Sequence, residues 1–183
     1  MRRKDREITD KAEIIKIIEQ CEVCRLGLSD DNIPYIIPMN YGYKYQEGKL
    51  TLYFHGAKEG KKLDIIAKNP KACFEVDCSH ELVTAEEAWN YTMNYESVIG
   101  NGEISICTDK SEIAEGLQLL MKQVARDKEF TFPDHVMNSV TVFKLEVTDF
   151  TGKRNITKRQ INKTCISGRF DAPLMYGCSY PGA

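Results

Sequence analysis

The run Tyr53-Phe54-His55-Gly56-Ala57-Lys58-Glu59-Gly60-Lys61-Lys62 gathers the residue types best able to do chemistry in this sequence. A strand-like stretch enters a glycine-containing turn and then a helix start. Free backbone N–H groups collect at a helix N-terminus, and the dipole there favours an anion. Gly56 and Gly60 let backbone approach a ligand closely. Lys61 and Lys62 add formal positive charge in the first turn. Lysine is unfavourable for the helix itself at that end, so it calls for another reason, and a bound phosphate is one. The plain alternative is a strand-to-helix turn with two solvated lysines.

Two further stretches have the composition of a ligand wall. Pro38-Met39-Asn40-Tyr41 offers apolar surface with one amide, able to read the polar edge of a flat heteroaromatic ring or simply to be core. Tyr95-Glu96-Ser97-Val98-Ile99-Gly100 offers apolar strand residues with one hydroxyl. His55 has three functional readings: a ligand contact, a general acid or a haem ligand. The plain one is a hydrogen-bonded residue at a strand end. Cys21-Glu22-Val23-Cys24 is a CxxC, which raises zinc or redox chemistry. A structural zinc needs four ligands, usually as two close pairs. The other close pair, Cys73 and Cys78, has an odd offset on a strand and so points to opposite faces. The seven cysteines therefore read as small buried hydrophobes, and no metal site is expected. His55, His80 and His135 are scattered, and no Ser/His/Asp order suggests a triad. Neither GxGxxG nor GxxxxGK[ST] is present.

These residues need elements to position them. Residues 10–20 read as a helix capped by Asp10, with Glu13 completing a capping-box pattern and Ile14, Ile15, Ile17 and Ile18 forming a stripe. Residues 23–28 read as a strand, 29–32 as a turn, and 33–45 as one extended strand. Pro34 and Pro38 place that strand at an edge or against a ligand. A hairpin turn at Gln46-Glu47-Gly48 leads into a strand over 49–55, then the helix that Pro70 ends. Strands follow over 72–78, 95–107 and 140–147, with Gly100-Asn101-Gly102 a bulge or turn. Residues 79–93 show no clear period. Residues 111–126 form a second amphipathic helix. Short turns favour antiparallel pairing, so the expected class is mainly β, a β-barrel with peripheral helices.

Composition bounds the function. The chain has 183 residues, 42% hydrophobic and 28% charged, with a formal net charge of −2. That suits one ordinary soluble domain. No run approaches the ~20 apolar residues of a membrane helix, and no apolar core follows the basic N-terminus to make a signal peptide. An odd set of thiols points to a reducing cytoplasm. A near-neutral total gives no case for nucleic-acid binding. The charge is uneven, however. Residues 151–183 carry six basic residues and one acid, a net of +5, which leaves −7 on the rest.

Several segments, in order, resemble the pyridoxamine 5′-phosphate oxidase-like FMN-binding split barrels, and more closely the 5-nitroimidazole-resistance branch. They are Met1-Arg2-Arg3-Lys4-Asp5-Arg6-Glu7, Cys24-Arg25-Leu26-Gly27-Leu28, Pro34 to Tyr43, Leu52-Tyr53-Phe54-His55-Gly56-Ala57, Gly60-Lys61-Lys62, Ser97-Val98-Ile99-Gly100-Asn101-Gly102 and Val140-Thr141-Val142-Phe143. The resemblance covers residues 1–152, leaving 153–183 as a basic C-terminal extension. It implies a six-stranded antiparallel Greek-key split barrel and a homodimer with FMN at the subunit interface. By position, Pro38, Met39, Asn40 and Tyr41 would line the flavin. His55, Gly56 and Ala57 would lie along ring and ribityl chain, and Lys61 and Lys62 would hold the phosphate, Lys62 being the better match. Ser97 and Val98 match flavin-proximal positions, with the shorter serine where a glutamine usually stands. The arginine-rich substrate-phosphate site of the vitamin B6 oxidases is not at the matching positions. The implied function is an FMN-dependent oxidoreductase reducing a small flat acceptor such as a nitroimidazole, with His55 supplying a proton or steering the acceptor. The alternative is a non-enzymatic flavin- or haem-binding store on the same fold.

Overall fold

Asp10 opens the first helix, its carboxylate accepting the Ala12 N–H at 2.8 Å and satisfying one donor that a helix start leaves open. Glu13 does not complete the capping box; its carboxylate pairs with Arg154 instead. The computed structural model describes residues 2–157 other than 127 and 129. Among them are β1 (Glu7–Ile8), α1 (Lys11–Gln20), β2 (Cys24–Asp30), β3 (Ile33–Met39), β4 (Gly42–Gln46), β5 (Lys49–Gly56), α2 (Lys61–Lys68), β6 (Lys71–Val83), β7 (Thr92–Ile106), α3 (Lys110–Ala125), α4 (Asp134–Met137) and β8 (Thr141–Asn155).

All strand pairs are antiparallel, along the path β3-β2-β6-β7-β8-β5-β4, with β1 added beside β8. The mainly β class and split-barrel fold are as expected. The strand count is not: the described residues hold eight strands rather than six. One reason is that the single strand expected over 33–45 breaks at Asn40-Tyr41. Strands β3 and β4 are the two ends of the hydrogen-bonded path, yet only these two residues join them. The chain therefore brings both edges together at a corner while, among the described residues, no ladder closes the sheet.

Period-2 alternation explains which way β3 faces. Tyr35, Ile37 and Met39 pack on the core, while Pro34, Ile36 and Pro38 point outward. The core is one cluster drawn from nearly every strand, including Leu26, Leu52, Phe54, Phe74, Val98 and Phe143, with Ile14, Ile17 and Ile18 of α1 packed into it. Phe54 and Phe143 stack with centroids 5.5 Å apart. A second, smaller cluster lies under α3, around Tyr53, Leu117 and Val142.

Two other expectations change. Within residues 79–93, 79–83 and 92–93 are strand, the outer ends of β6 and β7, and Ala88–Asn90 is a single 3-10 turn between them; exposed apolar residues hide the alternation. The break at Gly100-Asn101-Gly102 is a bulge, but the extra residue is Thr148 on the partner strand β8, and its hydroxyl donates to the Asn101 carbonyl at 3.1 Å. Of the basic extension expected over 153–183, residues 153–155 belong to β8, and everything from 158 on lies outside the described residues. No described helix is long and apolar enough to cross a membrane.

Candidate functional site: an anion cradle between strand β5 and helix α2

Strand β5 ends at Gly56 and α2 begins at Lys61, so the expected strand–turn–helix unit is present. Gly60 is the N-cap, at φ +135, a conformation that side chains rarely adopt. It offers no capping side chain. Its carbonyl accepts from the Leu63 N–H at 2.9 Å and the Asp64 N–H at 3.4 Å. Among the described residues, no backbone bond uses the N–H groups of Lys61 or Lys62. These two donors lie at the positive end of α2.

The two lysines have different fates. Lys61 Nζ lies 3.3 Å from Asp30 at the end of β2 and 5.0 Å from the centre of the Tyr35 ring. Its charge is largely answered within the protein. Lys62 has no carboxylate partner among the described residues and is half-buried. Helical side chains lean toward their N-terminus, which carries the Lys62 stem back over the turn to Gly56. A Cβ on Gly56 would sit 2.7 Å from Lys62 Cε and 3.1 Å from Nζ. Glycine at 56 is thus what lets the ammonium group lie against the strand end. His55, beside it, is exposed and faces Val142 across the ladder. Ala57 is exposed as well.

The second group of expected residues meets this end through the corner. Gly42 pairs with Tyr53, two residues before His55, so the chain at Asn40-Tyr41 runs on toward the His55 end. Pro38 and Asn40 are exposed; Met39 is half-buried against the core. The Asn40 amide donates to the Glu22 carbonyl at 3.1 Å. Tyr41 is not a wall residue. It is fully buried, and its hydroxyl donates to the carbonyls of Ile18 at 2.5 Å and Cys21 at 3.2 Å. Burial pushes its phenol pKa far up.

The third group lies on another row of the sheet. Met39, Cys24, Val76, Val98 and Gly152 face one another in turn across β3, β2, β6, β7 and β8. Val98 is a fully buried core residue, since its side chain takes the inward position of that row. Ser97, half-buried, takes the outward one and pairs with Asp77 and Lys153. The CxxC thiols are also internal. Cys21 and Cys24 are buried, and burial raises both, Cys24 to about 12. Among the described residues no three His, Cys, Asp or Glu side chains gather to hold a metal.

Sequence reasoning missed Asp30 and Tyr35, which decide that Lys61 and not Lys62 has a carboxylate and a ring as partners. No local signal marks them, because β2 and β3 reach α2 only in the folded chain.

The family model for pyridoxamine 5′-phosphate oxidase matches residues 10–154. Among solved structures, a candidate 5-nitroimidazole antibiotic resistance protein from Bacteroides thetaiotaomicron is 32% identical over 81% of this chain and 86% of its own, with a TM-score of 0.71. The FAD and haem binding protein from Mycobacterium smegmatis is 17% identical, covering 81% of this chain and 73% of its own, with a TM-score of 0.67. The flavocytochrome Anf3 from Azotobacter vinelandii is 16% identical, covering 99% and 91%, with a TM-score of 0.69. No curated protein matches the chain.

Proposed function

The chain belongs to the pyridoxamine 5′-phosphate oxidase family, and from that premise we propose that it is an FMN-binding oxidoreductase of the cytoplasm. Its cradle between β5 and α2 holds the FMN phosphate, and its acceptor is a small flat molecule such as a nitroimidazole. One observation carries the reading: Lys62, without a carboxylate partner among the described residues, lies over Gly56 beside two open helix N–H groups. A phosphate fits that donor set, because its oxygens accept from both the ammonium and the backbone amides.

When bound, the flavin supplies the electron transfer. The protein binds and orients. Lys62 and the α2 N–H groups fix the phosphate, and Lys61 adds a charge already shared with Asp30. Pro38, Met39 and Asn40 provide the wall at the corner, and Ser97 a hydroxyl on the outer face. His55 is exposed beside the cradle, placed to donate a proton to the acceptor or to steer it. The reading includes a homodimer that completes the site. Outward apolar residues support it: Ile36 is 69% exposed and Ile99 54%, on the same sheet face as Pro34 and Pro38. Large apolar side chains turned outward on one sheet face favour an interface over a solvated surface.

A second reading is a flavin- or haem-holding store without turnover. It is favoured by His55, whose exposed ring has no hydrogen-bond partner among the described residues and could serve as an axial ligand. The absorbance spectrum of the purified protein separates the two. A flavin band near about 450 nm, bleached by NADH or NADPH and restored by a nitroimidazole, supports the enzyme. A Soret band supports haem. Failure to take up FMN on reconstitution overturns the flavin reading.

A further inference from the structure

The far end of the β6–β7 hairpin leaves apolar surface uncovered. Beyond Cys78 the ladder slips register, and Ser79 adopts a φ of +58. Pairing resumes only from Glu81 opposite Asn94 to Val83 opposite Thr92. Strand β8 last pairs at Asn155, opposite Tyr95, so among the described residues this arm runs on as two strands with no third beside it. A lone two-stranded ribbon is marginal in water. Yet its surface is apolar: Trp89 is 80% exposed, Leu82 53%, Tyr91 49% and Met93 42%. It is also acidic. Residues 79–94 contain Glu81, Glu86 and Glu87 and no lysine or arginine.

The chain leaves the described region at this spot. The Thr157 N–H donates to Asn94 Oδ1 at 2.8 Å, and the Asn155 amide donates to the Met93 carbonyl at 2.5 Å. These two contacts set the exit of the described chain beside Met93 and Asn94, where the arm begins. Residues 158–183 carry Lys158, Arg159, Lys163 and Arg169 against the single acid Asp171. They also carry Ile161, Phe170, Leu174, Met175 and Tyr176. Sign and hydrophobicity are both complementary to the arm.

We propose that residues 158–183 dock on the β6–β7 arm of their own protomer, laying apolar side chains over Leu82, Trp89, Tyr91 and Met93 with their basic residues toward Glu86 and Glu87. Reach does not limit this, since 26 extended residues span up to about 90 Å. Tethering at Thr157 gives the segment a high effective concentration at the arm. Two arms from separate copies would instead bring like charges together, which disfavours self-docking of this surface.

Trp89 is the only tryptophan of the chain, so its fluorescence reports on the arm alone. In the full chain its emission should be blue-shifted and poorly quenched by acrylamide, independent of protein concentration. High salt should weaken that protection in part. Reversing all four charges in the full chain (K158E, R159E, K163E, R169E) should red-shift the emission and raise quenching, and E86K with E87K should do the same. Combining the two sets should restore the protection, an outcome that misfolding of either variant would not give. Trp89 as freely quenched in the native chain as in a free tryptophan amide would overturn the proposal. So would protection that disappears on dilution and ignores the charge reversals, because a second copy would then be the cover.

Discussion

Two helix ends in this molecule are treated in opposite ways. The C-terminus of α1 is closed by two side chains from other elements. Its Ile18 and Cys21 carbonyls accept from the Tyr41 hydroxyl, and the Gln123 amide, arriving from α3, lies 3.2, 3.0 and 2.9 Å from the carbonyls of Ile18, Glu19 and Cys21. The CxxC thiols sit in the same dry region. The N-terminus of α2 is left open. It has no capping side chain, two amides have no backbone partner among the described residues, and Lys62 has no carboxylate. Both ends are rich in residue types that suggest chemistry. The difference lies in whether the polar groups already have partners, because a satisfied buried group stabilises the fold while an unsatisfied one at the surface is available to a ligand.

The sharpest way to break this comparison is Tyr41→Ala. It opens a cavity at the corner and leaves two carbonyls short of a donor, so it should destabilise the fold by about 3–5 kcal/mol, the range for large aromatic truncations. Urea denaturation measures it; a loss below about 1 kcal/mol would show that the corner is not structural. Next is Lys62→Ala, which should weaken FMN binding by about 1–3 kcal/mol, the scale of a charge-assisted hydrogen bond, with stability unchanged. Titration of the apoprotein with FMN reads it, and undiminished affinity would remove the phosphate assignment.

Gln123→Ala should cost about 1 kcal/mol of stability and leave FMN affinity alone, since it touches only the closed end. A drop in FMN affinity here would mean that the two ends are coupled. Lys61→Ala should do less than Lys62→Ala in the same titration, below about 1 kcal/mol, because Asp30 already screens that charge at an exposed site. Equal effects would erase the distinction between the lysines. The smallest effect is a rate. Cys24, raised to about 12, and the buried Cys21 should stay unreactive toward an aromatic disulfide reagent at neutral pH, while exposed Cys73 reacts. Cys24 should gain reactivity only as pH rises toward its raised value, because the thiolate is the nucleophile. Fast modification of Cys24 in the folded protein would contradict its burial.

Much of this was legible in the chain. The Asp10 cap, the isoleucine stripe of α1, the Gln46-Glu47-Gly48 turn and the strand–turn–helix unit at Gly56–Lys62 all follow from local rules, and the structure has them. The corner was not legible. A strand broken at Asn40-Tyr41 has the same extended composition as an unbroken one, and what splits it is pairing with different partners on either side. Tyr41 and Val98 looked like wall residues because strand sequence gives alternation but not which phase faces the core. The arm over 79–94 looked patternless because its apolar residues lack a buried side among the described residues.

The sequence by itself determined most of the elements, the cationic helix start and the family, because each depends on residues close in the chain or on an ordered set of short motifs. Only the tertiary structure decided which groups remain available. Tyr41 is spent on a carbonyl 23 residues away and Gln123 on one 102 residues away, while Asp30 claims Lys61 and leaves Lys62 to the cradle. Partners so distant in sequence leave no local signal; folding alone brings them within hydrogen-bond range.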